Sequence, residues 1–337
     1  ETQESIATIK SEARRLMIEK IVVSAGEKTT CEFVVNTRTP ELPGGGSVGL
    51  KKGEETSPRW DDQLSLEFNG SNLILSQLEI TPAPKAITLF IASDSTATEQ
   101  NNEPWTGWGQ MLSGFFDSNV AISNHAQSGL ALFSFYSQRR LVKILSMLKP
   151  GDYVFIQFGH NDQKDKSENA GPFTTYTANL KKFIGEIREK GGQPVLVSPM
   201  ERRRWSGGKP RPTLADYAEA VRKVGEEEKV PVIDLNAMSL TLYEAFGESN
   251  SAKLFVHYPA HTFPGQEKKL KDNTHHNAFG AYELAKCMAE GIREKLPELA
   301  AHLRKDLPPF DPAHPDDPDK FAIPATPGVD IEKPDGN

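Results

Sequence analysis

Ile87-Thr88-Leu89-Phe90-Ile91-Ala92-Ser93-Asp94-Ser95-Thr96 is an apolar run, rich in β-branched residues, that stops abruptly in small polar ones. Such a run reads as a buried strand, and it delivers Ser95 to the strand's carboxyl end. In open α/β sheets, ligands bind in the crevice beyond the carboxyl ends of the strands, which suits Ser95 to the place of a nucleophile. Serine is equally suited to capping a following helix, so this stretch by itself leaves both roles open.

Downstream, residues 103–116 space Trp105, Trp108, Leu112 and Phe115 or Phe116 as one helix face does. Short apolar runs at 120–123, 153–158, 194–198 and 231–234 predict further strands, and 132–148, 174–190, 214–229 and 279–296 predict helices. Strands alternating with helices of this length imply right-handed crossovers and a parallel sheet covered on both faces. The expected fold class is α/β, a three-layer flavodoxin-like domain. Upstream the rhythm differs: alternating runs at 17–24, 29–36, 64–68 and 72–78 are separated by turn clusters such as Pro43-Gly44-Gly45-Gly46-Ser47. These predict a small antiparallel β-sandwich or an equivalent β-module. Thr81-Pro82-Ala83-Pro84 marks the junction, and the prolines beyond Asp306 exclude regular helix. The expected organisation is a β-rich accessory domain at 1–80, a catalytic domain at 81–305 and an extended Pro-rich tail at 306–337.

Lys plus Arg number 39 against 46 Asp plus Glu, a net charge of −7, which argues against a general nucleic-acid binder. No apolar run approaches the roughly 20 residues a membrane span needs. Residue 1 does not open a signal peptide, so any export signal is expected to have been removed already. Cys31 and Cys287 fall in different predicted domains, which indicates neither a disulfide framework nor a zinc cluster.

Three more short motifs join Ser95. Asn124-His125-Ala126-Gln127-Ser128-Gly129 follows a predicted strand, and Gly129 can bring its N–H close to a bound group because no side chain intervenes. Gly159-His160-Asn161-Asp162 ends another strand, where the Asn161 amide can donate to a developing oxyanion. Each also reads as an ordinary turn. Asp272-Asn273-Thr274-His275 places an aspartate three residues ahead of a histidine on a predicted loop. Such an aspartate can fix the tautomer in which the histidine accepts a serine proton. His276 is the rival base, disfavoured by its spacing from Asp272. Metal ligation by His257, His261, His275 and His276 is disfavoured too, since Pro259 breaks the helical pair geometry a zinc site of that kind uses.

In order and with this strand placement, the four motifs resemble the serine, glycine, asparagine and histidine blocks of the SGNH or GDSL hydrolase superfamily. Within it the chain is most similar to the bacterial rhamnogalacturonan acetylesterases that carry an N-terminal β-domain. The resemblance implies an SGNH hydrolase domain with Ser95 as nucleophile and Asp272 and His275 completing the triad. It also implies an oxyanion hole of Ser95 N–H, Gly129 and Asn161. Ser93 departs from the glycine usual before the Asp-Ser pair, which predicts a strained or reshaped elbow. The Gly-x-Ser-x-Gly elbow of α/β-hydrolases proper is absent.

Glu201-Arg202-Arg203-Arg204-Trp205 follows the predicted strand at 194–198. Arg202, Arg203, Arg204 and Trp205 are therefore candidate contacts for a polysaccharide bearing carboxylates, guanidinium groups for the acid and the ring for sugar faces; a solvated basic loop is the plainer alternative. Residues 257–265 are a candidate wall or lid. The expected function is a secreted or periplasmic serine esterase that removes O-acetyl groups from a pectic, rhamnogalacturonan-type polysaccharide without a cofactor. Acetylated xylan is the alternative substrate, and a carbohydrate-binding protein with a weakened site is the alternative class. Because all four motifs lie beyond Thr81, residues 1–80 are expected to be dispensable for a small ester.

Overall fold

The computed structural model describes residues 4–326 and 333–334. Ser5–Ser11 (β1), Arg15–Val23 (β2) and Leu66–Ser71 (β3) form an antiparallel sheet in the order β2-β1-β3. The runs at 29–36 and 72–78, expected as strands, form none, so this N-terminal sheet is single and three-stranded. Ile74 and Ile80 are each 65% exposed as a result.

The central sheet contains Ile87–Ser93 (β4), Val120–Asn124 (β5), Tyr153–Gln157 (β6), Gln193–Val197 (β7) and, after a small hairpin of Trp205–Ser206 (β8) and Lys209–Pro210 (β9), Val232–Ile233 (β10). Its pairings are all parallel, in the order β10-β7-β6-β4-β5. Strand order reverses between β4 and β6, the crevice where such sheets place ligands. Side chains alternate across the sheet: Leu89 and Ile91 of β4 join one buried layer, and Phe90 and Ala92 the other. Both layers are apolar because helices cover both faces.

The helices are Trp108–Leu112 (α1), Leu132–Ser137 (α2), Arg140–Met147 (α3), Thr177–Glu189 (α4), Ala215–Glu228 (α5), Leu235–Asn250 (α6), Ala278–Lys295 (α7) and Pro297–Ala300 (α8). The helix expected at 103–116 shortens to α1 and a 3-10 turn, with Gly107, costly inside a helix, at the N-cap position. The helix expected at 132–148 is two, divided where Arg139 adopts a left-handed φ of 61°. Helix α6 was not foreseen; Asp234 caps it by accepting from Ala237 N, and Gly247 interrupts it.

Phe255–Tyr258 (β11) and Leu270–His276 (β12) form a hairpin beside the sheet. Asn277 ends it by accepting from Gly280 N at 3.0 Å, which caps α7. Gly280 lies so close to Leu254 that a Cβ there would stand 2.0 Å from its carbonyl oxygen. That close approach sets the end of β12 against the body of the domain. Among its described residues the Pro-rich tail forms no regular helix beyond a 3-10 turn at Pro318–Lys320, and Leu307, Phe310, Phe321 and Ile323 pack on the core. The rest of the expected tail, 327–332 and 335–337, lies outside the described residues.

Candidate active site

Just past β4 the chain turns around Asp94, whose Oδ1 accepts from Thr96 N at 3.0 Å and Thr96 Oγ1 at 2.8 Å. Ser95 sits in that turn, and the next helix begins only at Trp108, so it caps nothing. Its Oγ lies 2.8 Å from His275 Nε2. The other ring nitrogen, Nδ1, lies 2.8 Å from Asp272 Oδ2. Asp272 is itself oriented: its Oδ1 accepts from Thr274 N at 2.9 Å and His275 N at 3.1 Å, and Trp105 Nε1 donates to Oδ2 at 3.3 Å. Burial opposes ionisation of Asp272, yet the hydrogen bond and charge of His275, with the two backbone donors, hold its carboxyl well below the usual range. A serine, an imidazole and a carboxylate in this line can move a proton off the hydroxyl and stabilise the resulting imidazolium.

His275 lies on strand β12 rather than on the expected loop, and this separates it from His276. Successive strand residues point to opposite sides. His276 Nε2 meets Tyr243 Oη at 3.0 Å, and its ring lies 4.2 Å from that of Phe255. Burial first, then the charge of His275, pushes its pKa down to about 3. His276 is a neutral packing group.

Three groups are expected as oxyanion donors: Ser95 N–H, Gly129 N–H and the Asn161 amide. Among the described residues, the N–H groups of Ser95 and Gly129 have no hydrogen-bond acceptor. Gly129 has a φ of 75°, a conformation open to glycine at little cost. Asn161 Nδ2 donates one hydrogen to Leu130 O at 3.0 Å, and Lys164 Nζ donates to Asn161 Oδ1 at 3.1 Å. The amide is thereby fixed with a second N–H to spare. Asp162 ties the two loops together, accepting from Leu132 N and Gly159 N at 3.0 Å each. Burial pushes the Asp162 carboxyl up to about 7.

Residues 92–280, more than half of the chain and all four motifs, match the GDSL-like Lipase/Acylhydrolase family. The chain belongs to that family. It is 40% identical over 222 residues to the rhamnogalacturonan acetylesterase RhgT of Bacillus subtilis, which covers 65% of this chain and 95% of RhgT. It is 34% identical over 209 residues to the probable rhamnogalacturonan acetylesterase YesY of the same organism, covering 61% and 92%. The solved structure of the Bacillus subtilis YxiM protein shares the fold, with a TM-score of 0.52 and 22% identity over 86% of this chain and 77% of that one.

In this acylhydrolase Ser93 strains nothing. It is paired in the sheet with Gln157, its φ is not positive, and its Oγ donates to Gln157 Oε1 at 3.2 Å. The same Oε1 accepts from Trp108 Nε1 at 2.7 Å, and Gln157 Nε2 donates to Thr96 Oγ1 at 3.1 Å. The expected strain is replaced by a buried polar knot under the Ser95 turn.

The arginine group divides. Arg202 donates to Gln163 Oε1 at 2.7 Å and His160 O at 3.1 Å, bracing the Asn161 loop. Arg203 bonds Ser251 Oγ at 3.1 Å and Asn273 Oδ1 at 3.4 Å. Both guanidinium groups are thus engaged within the protein; Arg204 is exposed, and half-buried Trp205 packs on the core. Of the 257–265 stretch, His257 and Tyr258 end β11 and the rest belongs to the β11-β12 connection, pinned by Gln266, whose Oε1 accepts from Thr262 N and Phe263 N at 3.1 Å each. His257 bonds Asn273 at 2.9 Å, away from His276. Among the described residues no three His, Cys, Asp or Glu side chains gather around a possible metal position.

Sequence reading missed two supports of the site. Gln100 Nε2 donates to Ser95 O at 3.0 Å, and buried His160 lies with Nδ1 3.5 Å from Asp94 Oδ2. Burial keeps His160 below its ordinary pKa against the pull of Asp94. No spacing rule connects either pair: the first depends on how the loop after β4 folds back on itself, and the second arises where the loops after β4 and β6 meet.

Proposed function

We propose that the protein is a serine esterase that removes O-acetyl groups from a rhamnogalacturonan-type pectic polysaccharide. The observation that carries the chemistry is the Ser95–His275–Asp272 line, 2.8 Å at each step. Ser95 Oγ attacks the acetyl carbonyl while His275 Nε2 takes its proton. The oxyanion receives the N–H groups of Ser95 and Gly129 and the free N–H of Asn161. His275 then protonates the sugar oxygen as its bond to the acetyl carbon breaks, and water, deprotonated by the same imidazole, attacks the acetyl-Ser95 ester, releasing acetate and returning the proton to Ser95 Oγ.

The substrate class is supported by the relatives that carry that name at 40% and 34% identity, and by the cations Lys164 and Arg202 at the loop after β6. A polymeric substrate fits action outside the cytoplasm, secreted or periplasmic. In this reading residues 81–305 carry the chemistry, 1–80 form an accessory unit and 306–337 a tail.

Arg204 is the arginine free to meet a galacturonate carboxylate. Arg204→Gln is expected to raise the KM for acetylated rhamnogalacturonan about tenfold, the low end for a charge-assisted bond, and to leave a small neutral acetate ester unchanged. Added salt should shrink the wild-type preference in the same direction. Acetate release from acetylated rhamnogalacturonan and acetylated xylan tests the reading: faster release from xylan would move the substrate to a neutral glycan.

A further inference from the structure

The N–H of Gly129 belongs to the peptide group whose oxygen is Ser128 O, and that oxygen is gripped from outside the hydrolase core. Lys51 Nζ donates to Ser128 O at 2.7 Å. A trans peptide is planar, with its oxygen and hydrogen pointing opposite ways, so holding the oxygen aims the N–H. A positive charge on the oxygen also polarises the peptide group and strengthens its N–H as a donor.

The grip is one of three on the same loop. Arg59 Nη1 donates to Gln127 Oε1 at 3.0 Å, and Arg38, its guanidinium 4.4 Å over the Trp60 ring, donates to Asn124 O at the loop's start. Arg59 is held in turn by Ser57 Oγ at 3.0 Å, and Ser57 Oγ reaches Asn101 Oδ1 at 2.9 Å. Trp60 Nε1 donates to Glu54 Oε1 at 3.0 Å, and Glu54 pairs with Arg140. Lys51 N donates to Glu54 Oε2 at 2.8 Å, which fixes the base of the lysine on the same buried carboxylate.

We infer that Lys51 is a positioning residue for acyl transfer: it orients and polarises the Ser128–Gly129 peptide so that Gly129 N–H meets the oxyanion. The inference rests on the esterase reading above and assigns part of the oxyanion hole to the N-terminal segment. In this role Lys51 acts through the Ser128–Gly129 peptide group.

The test uses the full chain and 4-nitrophenyl acetate, which has no carboxylate for a lysine to bind. Losing an oxyanion donor outright costs about a hundredfold to a thousandfold, so Lys51→Met, which misdirects one of three, should lower kcat and kcat/KM together by about ten- to a hundredfold. Lys51→Arg should recover most of the loss. End-point labelling of Ser95 by a fluorophosphonate should stay at one per chain in Lys51→Met, so that the deficit is per active site. A deficit that tracks a lowered labelled fraction would reduce Lys51 to a structural support and overturn the inference. So would kcat within about threefold of wild type, or a rise in KM alone. If wild type turns over no faster than Ser95→Ala, the esterase reading itself fails, a result distinct from failure at Lys51.

Discussion

His275 and His276 stand side by side on β12, yet one faces Ser95 Oγ at 2.8 Å and the other Tyr243 Oη at 3.0 Å. His275→Ala should lower kcat/KM for 4-nitrophenyl acetate by roughly a thousandfold or more with little change in thermal midpoint. His276→Ala should do the reverse, losing stability because it empties a buried ring site; the opposite ranking of the two rates would put the base at His276. Asp162 offers a pH signature. The folded protein keeps its proton up to about pH 7, whereas an unfolded chain releases it near ~4. Its contribution to stability is therefore full at low pH and lost as pH rises through about 7. Burial lowers the pKa of His125, His160 and His276, and they act in the opposite sense, so the readout is a difference. Between pH 5 and 8 the thermal midpoint of wild type should fall relative to that of Asp162→Asn; a constant gap would contradict the assignment. At this scale the sequence was informative where a residue's role depends on near neighbours. The three-residue step from Asp272 to His275 was legible, whereas Gln100 beneath Ser95 was not, because that contact depends on how the turn folds back.

Strand β4 carries the site because its nearly unbroken apolar run is buried on both faces and ends at Ser93. The strands of the parallel sheet were legible for that reason: each is a short apolar run closed by polar or small residues. The runs at 29–36 and 72–78 alternate instead and find no partner strand, and pairing is a property of two segments that neither sequence contains alone. Helix α6 escaped notice because polar Asn236 and Ser239 lie on its buried side, which blurs the apolar stripe. Ser93 gives a test at this scale. Since its hydroxyl bonds Gln157 in unstrained strand geometry, Ser93→Gly should cost about 1 kcal/mol of stability and change kcat by less than about threefold. A large gain in kcat would restore the strained elbow that the motif suggested.

Across the whole molecule, the N-terminal segment and the hydrolase core meet through buried charge. Arg15 pairs with Glu99 at 2.6 Å, and Arg14 donates to Gln100 O at 3.1 Å and Trp105 O at 2.9 Å. Gln100 is the residue that donates to Ser95 O, and Trp105 the one that donates to Asp272. The sequence-based expectation that residues 1–80 are dispensable followed from motif positions alone and took no account of this layer. Removing them would leave Glu99 buried without its partner, a costly state. A chain beginning at residue 81 should therefore lose most small-ester activity and melt at a clearly lower temperature; wild-type turnover from that truncation would show the layer to be irrelevant to the site. No helix among the described residues is long and apolar enough to cross a membrane.

Acetate release from acetylated rhamnogalacturonan, measured side by side for wild type and Ser95→Ala, tests the central claim most directly. Steady release by wild type is predicted, with a loss of roughly a thousandfold or more in a Ser95→Ala protein that melts at the wild-type temperature. Equal release by the two proteins, or none by either, would contradict it.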